Sequence, residues 1–237
     1  MITNKKYLWI IVIISLVTIL SLKGNGLLFG QLFNKNSQNL ISLDEVNKDS
    51  KIAEVLYFRK SRRNYNNKQV PFNVFTQVVW STEGINIDGI SGPTRTSPSA
   101  GATNPLVIYI SVSNVETLDN GLYRYLPKKH ALKYIIKEDI SNSLAKAALD
   151  QNAVREAPVT LIITANYNDT TNRYGERGIK YVHIESGAAA QNALLTIQNH
   201  GMGGVIIGAF ENDKLQDVMG DISEEPLVIL PFGYYNS

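Results

Sequence analysis

The chain of 237 residues contains no cysteine and only three histidines. The absence of cysteine excludes disulfide bonds, thiolate metal sites and a cysteine nucleophile. The histidines, His130, His183 and His200, stand far apart and lack the spacing of metal ligands. The sequence therefore predicts no metal site.

Glycine-rich nucleotide-binding motifs are also absent. The segment GMGGVIIG at 201–208 has Ile206 where the dinucleotide fingerprint requires glycine, and it precedes a predicted strand instead of following one. The sequence has no Walker A motif and no G-x-S-x-G nucleophile elbow. These absences exclude the common phosphate-loop and serine-hydrolase signatures, and the sequence leaves the catalytic residues unknown.

Charge is scarce and unevenly placed, since charged residues make up 19% of the chain. Residues 1–34 hold three of the 23 cations and none of the 21 acids, so residues 35–237 carry a net charge of −1. Proteins that bind nucleic acid broadly are basic. We therefore expect no nucleic-acid partner.

An uncharged apolar run at 7–22, YLWIIVIISLVTILSL, follows Lys5 and Lys6. As a helix it would be about 24 Å long, slightly shorter than a hydrocarbon core of about 30 Å, and snorkelling lysines could cover the difference. We expect an uncleaved single-pass membrane anchor, with a cleaved signal segment or a buried helix as alternatives. The excess of lysines before the run favours a domain outside the cytoplasm.

The remaining chain alternates between predicted helices and strands, which indicates an α/β domain. Residues 1–6 form a short basic N-terminus, 23–49 a linker and 50–237 the domain. Helices are predicted from a cap at Asp49 or Ser50 to about Lys60, from Pro71 to about Gly84, near 141–152 and near 183–200; strands are predicted at 106–112, 159–165, 204–210 and 226–231. Between Gly84 and Pro105 the sequence predicts a long loop.

A cluster of cations follows the first predicted helix. Residues 59–63, RKSRR, place four cations around one serine. In an extended segment Arg59, Ser61 and Arg63 would point to one side and the other two cations to the opposite side. Two guanidinium groups beside a hydroxyl suit a phosphate. Cations are also common at solvated helix C-termini, so the motif alone leaves both interpretations open.

A second segment, SPSAGATNP at 97–105, consists mostly of small residues inside the long predicted loop. Small side chains let a planar ligand approach the main chain. A loop of this length in a compact domain is usually functional or disordered. Without further information the segment could also be a simple turn.

Taken together and in this order, the two segments resemble the flavin-dependent nitroreductase family over about residues 50–235. Further similar stretches are GLYRYLPKKHALKYI (121–135), DQNAVREAPVTLIITA (150–165) and YGERGIKYVHIESGAAAQNALLTIQNHGMGG (174–204). The first of these resembles the branch that contains peptide-azoline dehydrogenases. The resemblance implies a nitroreductase-like α+β fold, with a central, mostly antiparallel sheet flanked by helices, and a domain-swapped homodimer in which both subunits contribute to each site.

The resemblance also implies FMN as the cofactor and identifies the residues expected to hold it. The phosphate would be held by Arg59, Ser61 and Arg63. The flavin would be contacted by Pro98, Ser99, Ala100 and Gly101, and by Glu185, Ser186 and Gly187 at the head of the long helix. Structural roles are expected for Tyr123, Tyr125 and His130.

Two features depart from the family pattern. The chain ends in PFGYYNS, without the Arg or Lys that completes the phosphate grip in many members, although Arg62 or Lys60 could compensate. Azoline dehydrogenases carry a Lys-Tyr pair before the long helix, where this chain has Arg173-Tyr174, and Lys180-Tyr181 lies seven residues further on. We therefore do not expect ring-oxidising activity.

The function implied by the resemblance is an FMN-dependent oxidoreductase. It would pass hydride or electrons from a reduced donor such as NAD(P)H to a small organic acceptor by a ping-pong mechanism, with the chemistry carried by the cofactor. The alternatives are a membrane-tethered flavin- or ligand-binding module without turnover, and an azoline-dehydrogenase-like peptide-modifying enzyme. A domain outside the cytoplasm would be inaccessible to cytosolic NAD(P)H, so either the topology is reversed or the donor differs.

Overall fold

The computed structural model describes residues 43–44, 46–89 and 92–236. The chain divides into two units, Met1–Asn47 and Lys48–Ser237, and all the elements given below belong to the second. Among the described residues no helix is both long enough and apolar enough to cross a membrane. The predicted anchor at 7–22 and most of the 23–49 linker lie outside the described residues, so both stay predictions.

The secondary structure of the second unit mixes helices and strands, and one helix is much longer than the others. The strands are β1 (Ile85–Gly89), β2 (Gly92–Arg95), β3 (Leu106–Val112), β4 (Gly121–Leu126), β5 (Ala131–Ile136), β6 (Val159–Ala165), β7 (Gly203–Gly204) and β8 (Glu225–Gly233). The helices are α1 (Lys51–Phe58), α2 (Phe72–Glu83), α3 (Ser141–Ala147), α4 (Asn152–Glu156), α5 (Asn168–Tyr174), α6 (Arg177–Asn199) and α7 (Asn212–Val218).

Six of these strands form one antiparallel sheet in the order β5-β4-β3-β6-β8-β7. Alternate residues of a strand face opposite sides, so the sheet buries two apolar layers. Ile108 and Leu161 face the layer that includes α2 and α6, whereas Tyr109 and Ile162 face the layer that includes α3, α4 and α7. The predicted antiparallel sheet flanked by helices is confirmed.

The long helix α6 presents a stripe of buried residues at three- and four-residue spacing, as expected for a helix with one face in the core. The stripe comprises Gly178, Val182, Glu185, Ser186, Ala189, Ala190, Ala193, Leu194 and Ile197. Most of these side chains are small or apolar, and they pack in the same core layer as those of α2. The exception is Glu185, a carboxylate in the middle of the buried face.

The predicted starts of the first two helices agree with the structure. The Ser50 side chain accepts a hydrogen bond from the Ala53 amide at 3.2 Å and so caps α1, and α2 follows Pro71. The sequence predicts Ile52, Val55 and Leu56 as the apolar face of α1, and this prediction is wrong in part, because only Val55 is buried in this helix. On the same helix Ile52 and Leu56 are 71% and 50% exposed.

Several other element predictions need correction. The expected loop at 84–105 contains the antiparallel hairpin of β1 and β2. The expected strand at 204–210 is reduced to β7 and an isolated bridge from Ile207 to Ile229. The long helix begins at Arg177, so Glu185 lies in its interior and not at its head. The helix extends further toward the N-terminus than predicted, because the polar residues Arg177 and Lys180 lie on its exposed side.

Candidate functional site

The cation segment, residues 59–63, leaves α1 in an extended conformation and runs beside β7. Ser61 forms a parallel bridge with Gly204, and the Arg62 amide donates to the Gly204 carbonyl at 3.1 Å. The Tyr65 hydroxyl contacts the carbonyl oxygens of Arg62 and Pro231, each at 2.8 Å. Main-chain contacts therefore hold the segment against the glycine pair that follows α6.

The arginine side chains of this segment differ in whether they have a partner. Arg62 stacks on the Tyr235 ring, with 4.0 Å between its guanidinium carbon and the ring centroid, and its stem lies where a Cβ on Gly203 would be. Within the part of the chain that the structure describes, neither Arg59 nor Arg63 has an ion-pair or hydrogen-bond partner for its side chain. Two guanidinium groups are thus available to an anion, whereas Arg62 packs on the C-terminal segment.

The small-residue segment, 97–105, folds into a tight turn at its centre, directly before β3. The Ser99 hydroxyl accepts a hydrogen bond from the Asn104 amide at 2.9 Å. Gly101 has a φ of 60°, a conformation that side chains with a Cβ rarely adopt. The Arg173 guanidinium donates to the Gly101 carbonyl at 2.9 Å, and a Cβ on this glycine would clash with Arg173 and the Tyr174 hydroxyl. The Arg-Tyr pair therefore packs directly on this segment.

The structure brings the small-residue segment together with Glu185 of α6. This side chain is only 2% exposed, and burial raises its pKa to about 7. The Ser99 hydroxyl and the Ala100 amide face the carboxylate and favour its charged form. Neither carboxylate oxygen, however, has a partner within hydrogen-bond geometry among the described residues. A buried carboxylate without partners needs either a proton or a ligand.

The two residues after Glu185 differ in their surroundings. Ser186 is buried, and its hydroxyl donates to the His183 carbonyl at 2.9 Å. Gly187 is exposed, and a Cβ at this position would meet open space. Of the three residues predicted on α6, Glu185 therefore faces the small-residue segment, Ser186 hydrogen-bonds within the helix and Gly187 lies at the surface.

Glu83 is a residue of this region that the sequence analysis missed. It ends α2 with 1% of its surface exposed, accepts a hydrogen bond from the Ser97 hydroxyl, and lies 3.6 Å from Arg95, measured from Oε1 to Nε. Burial raises its pKa to about 7, and the nearby Glu185 adds to the shift. The one sequence signal was that Glu83 is the single charged residue of α2.

The residues expected to be structural lie on β4 and the turn after it. Tyr123 is buried and donates to the Asp119 carbonyl at 2.6 Å. The Tyr125 hydroxyl lies 2.9 Å from Nδ1 of His130. This tyrosine and histidine line one end of an apolar cavity of about 220 Å³ that also contacts α2.

The predicted site residues therefore form two groups along α6. The small-residue segment meets Glu185, and the cation segment meets Gly204, which follows the end of the helix. From Glu185 to Asn199 the helix rises about 21 Å. Both groups fit FMN chemically. The unpaired cations of the cation segment can bind its phosphate, and the buried Glu185 beside the small-residue segment can hydrogen-bond to its flavin ring.

Three comparisons with known proteins agree with this geometry. The nitroreductase family model matches residues 56–234. A nitroreductase-like protein of Methanocaldococcus jannaschii is 37% identical over 194 residues, which is 81% of this chain and 95% of that protein. The crystal structure of a nitroreductase-like protein from Ralstonia eutropha has a TM-score of 0.67 and 25% identity, and the match covers 85% of this chain and 92% of that chain.

A more distant structure shares the fold alone. A chain of the E. coli microcin synthetase McbBCD complex, bound to truncated pro-MccB17, has a TM-score of 0.64 and 18% identity, and the match covers 87% of this chain and 81% of that chain. The family model spans most of the second unit, including β3 to β8 and the long helix. From this match and the curated relative we conclude that the chain belongs to the nitroreductase family and is an oxidoreductase.

Proposed function

We propose that this oxidoreductase is FMN-dependent and transfers hydride from a reduced nicotinamide donor to a small organic acceptor by a ping-pong mechanism. The observation that carries the proposal is the contact between the small-residue segment and Glu185, two elements that are far apart in sequence. Their contact produces a buried, partnerless polar group beside a main chain with few bulky side chains. Such a surface suits a planar heteroaromatic ring.

The chain's own residues would hold and orient the cofactor. Arg59, Ser61 and Arg63 would bind the phosphate, since the two guanidinium groups have no partner among the described residues. The segment 98–101 would pack on the flavin, and Glu185 with its two neighbours would lie beside the ring. When bound, FMN supplies the hydride chemistry, and the protein supplies binding, orientation and exclusion of water.

A second copy of the chain is part of the proposal. Large apolar side chains are exposed on helices of the second unit, including Ile52 at 71%, Phe58 at 59% and Ile184 at 58%. Exposed apolar surface on adjacent helices is typical of association surfaces. The homodimer implied by the family resemblance would cover these side chains.

The membrane anchor at 7–22 is also proposed, because the run is uncharged and lies between lysines. Full-length protein should remain in the membrane fraction through high-salt and carbonate washes. Recovery of a soluble protein beginning near residues 24–30 would indicate a cleaved signal segment and would contradict an anchor. The domain would face outside the cytoplasm if the lysine asymmetry sets the topology.

Azoline oxidation is not favoured as a second function. Arg173 and Tyr174 pack on Gly101, at the position aligned with the Lys-Tyr pair of azoline dehydrogenases. A guanidinium group stays protonated in proteins and does not act as a base. The pair therefore lacks the proton acceptor that a lysine provides when its pKa is lowered.

Anaerobic titration of the FMN-loaded, detergent-solubilised full-length protein tests the function. NADH or NADPH should bleach the flavin absorbance, and a quinone or a nitroaromatic acceptor should restore it. Double-reciprocal plots for the two substrates should be parallel, as a ping-pong mechanism requires. A protein that binds FMN but is bleached by neither donor would be a binding module without this activity.

A further inference from the structure

Three charged side chains from different elements meet in the interior of the second unit. Glu83 ends α2, Arg95 ends β2 and Glu185 lies in the middle of α6. The side chains of Glu83 and Arg95 are 1% and 16% exposed, and Glu185 as a residue is 2% exposed. The cluster, Glu83-Arg95-Glu185, thus contains two acids and a single base.

The two carboxylates have unequal partners. Glu83 accepts a hydrogen bond from the Ser97 hydroxyl and lies 3.6 Å from the Arg95 guanidinium. Both oxygens of Glu185 are buried without a hydrogen-bond partner among the described residues, and so is Nη1 of Arg95. The groups that face Glu185 are Ser99, the Ala100 amide and Arg95. Glu83 therefore has a formed hydrogen bond and an ion pair, whereas the donors that face Glu185 do not reach hydrogen-bond geometry.

Full ionisation of the cluster would leave a net negative charge in the interior, with one carboxylate unpaired. Burying an unpaired charge is costly, and such groups usually take up a proton instead. Two interacting carboxyl groups lose their protons in successive steps, because the first anion opposes the second. One proton shared by the two acids makes the cluster neutral. Because the hydroxyl and the guanidinium contact Glu83, the geometry favours Glu185 as the acid that holds the proton.

We infer that Glu185 is the protonated member of the cluster and, as a neutral carboxylic acid, donates a hydrogen bond to the ligand that packs against Ser99 and Ala100. The ligand class is a planar heteroaromatic ring with oxygen or nitrogen acceptors, and the inference rests on the proposed flavin site. Glu83 and Arg95 are positioning residues that keep the proton on Glu185. Tyr125 also faces the cluster, since Arg95 lowers and Glu83 raises its pKa, although burial is the larger cause of its shift.

The inference requires flavin binding to be linked to one proton. Burial raises the pKa of Glu185 to about 7, so flavin affinity should be constant below that pH. Above it, affinity should fall by up to about tenfold per pH unit, because the ionised form must first recover its proton. In Glu185→Gln the amide donates without titrating, so affinity should stay within about threefold of the low-pH wild-type value and should not change as the pH rises.

Glu83→Gln tests the positioning role separately. Without the Glu83 anion, Arg95 faces a single carboxylate, and Glu185 should ionise at lower pH. The pH at which flavin affinity begins to fall should therefore decrease. Glu138→Gln, at an exposed position, is the matched control and should behave as wild type.

Two measurements on the full-length protein decide the question. Infrared spectroscopy at about pH 6 should show the carbonyl band of a buried protonated carboxylic acid in wild type and Glu138→Gln. The part of this band that belongs to Glu185 should be lost in Glu185→Gln, and Glu83→Gln identifies the part that belongs to Glu83. Fluorescence titrations with FMN and with riboflavin, from about pH 6 to 9, measure the linkage. The phosphate of FMN also titrates, near pH 6. Riboflavin lacks this phosphate and Glu185→Gln lacks the titrating carboxyl group, so the two titrations separate their contributions to the pH dependence of affinity.

The outcomes distinguish this inference from the proposed function. A band that depends on Glu185, together with a pH-dependent affinity that Glu185→Gln abolishes, supports the inference. FMN binding with no such band, or with the same pH dependence in Glu185→Gln, overturns the inference and leaves the proposed function standing. A protein that shows the band but binds neither flavin overturns the ligand assignment along with the proposed function.

Discussion

Neighbouring cations in the segment 59–63 have different surroundings. Arg62 stacks on Tyr235 at 4.0 Å, an arrangement that contributes about 0.5–1 kcal/mol at exposed sites. Arg59 is half-buried and Arg63 is exposed, and neither side chain has a described partner. The sequence suggested Arg62 or Lys60 as a substitute for the absent C-terminal cation, and this stays a prediction; in the structure the Arg62 guanidinium stacks on Tyr235.

Replacing Arg59 or Arg63 with alanine should therefore weaken FMN binding by about 10- to 150-fold, since a charged hydrogen bond contributes about 1.5–3 kcal/mol. Lys60→Ala is the matched control and should change affinity little, because this side chain is exposed. Fluorescence quenching of FMN measures all three variants. Equal, small losses at the three positions would indicate a diffuse solvated patch instead of a phosphate site.

The buried acids Glu83 and Glu185 make a prediction about stability. Burial raises the pKa of each from an ordinary value of 4.5 to about 7. Between these values the folded state binds more protons than the unfolded state, so the free energy of unfolding must fall as the pH rises. The contribution is complete below about pH 4.5, is lost as the pH rises through about 7, and is at most about 3 kcal/mol for one such group.

Thermal unfolding at about pH 5.5 and pH 8 tests this sign. The Tm of the wild-type protein should fall by several degrees over this interval, since about 1 kcal/mol shifts the Tm by about 2–4 °C in a domain of this size. Glu185→Gln should show a smaller fall, because its amide does not titrate. Equal falls in the two proteins would contradict the raised pKa.

Among the elements, the turn at 99–101 is the most constrained part of the candidate site. Gly101 and Gly175 both have a positive φ, but Gly101 (φ 60°, ψ 23°) lies in the left-handed helical region and Gly175 (φ 59°, ψ −150°) in a region essentially restricted to glycine. They also differ in their surroundings. A Cβ at Gly101 would clash with Arg173 and Tyr174, whereas a Cβ at Gly175 would meet nothing within 4 Å. The two glycines therefore separate backbone strain from a steric effect on the site.

Gly101→Ala should lower both thermal stability and FMN affinity, because the new methyl group displaces the side chains that pack on the turn. Gly175→Ala should lower only stability, by about 1–3 kcal/mol, because its backbone conformation is one that residues with a Cβ rarely adopt. Differential scanning fluorimetry and FMN titration of the two variants provide the comparison. Loss of FMN affinity in both variants would show that strain alone accounts for the effect.

The elements also show how far the sequence predicts this fold. The strands β3 and β6 are continuous apolar runs between turn residues, so their bounds were predicted correctly. The strands β4 and β5 were not predicted, because lysine and arginine interrupt their apolar pattern. The hairpin at 85–95 was missed because glycine and proline, which favour loops, lie at its turn.

Among the site residues, the sequence could predict types and order but not contacts. The family resemblance singled out Ser99 and Glu185, and the structure places them side by side. The approach of Glu83 to Glu185 joins residues about a hundred positions apart through the packing of two helices, and no local pattern encodes it. The stacking of Arg62 on Tyr235 is likewise a product of the sheet, which brings the end of the chain to the cation segment.

For the whole molecule, the exposed apolar side chains on α1 and α6 predict a dimer. Light scattering of the detergent-solubilised protein should give the mass of two copies after correction for detergent. Ile52→Glu and Ile184→Glu should shift the mass toward one copy, because the charge would be buried in the proposed contact. Leu149→Glu, at a position 56% exposed just after the C-terminal cap of α3, is the control. A wild-type protein with the mass of one copy would contradict the dimer.

The central claim is that the nitroreductase fold of this chain holds FMN. The direct test is the absorbance spectrum of the purified full-length protein, followed by chromatography of the cofactor released on denaturation. We predict a yellow protein with a flavin spectrum that releases FMN and not FAD. A colourless protein that fails to take up added FMN would contradict the account.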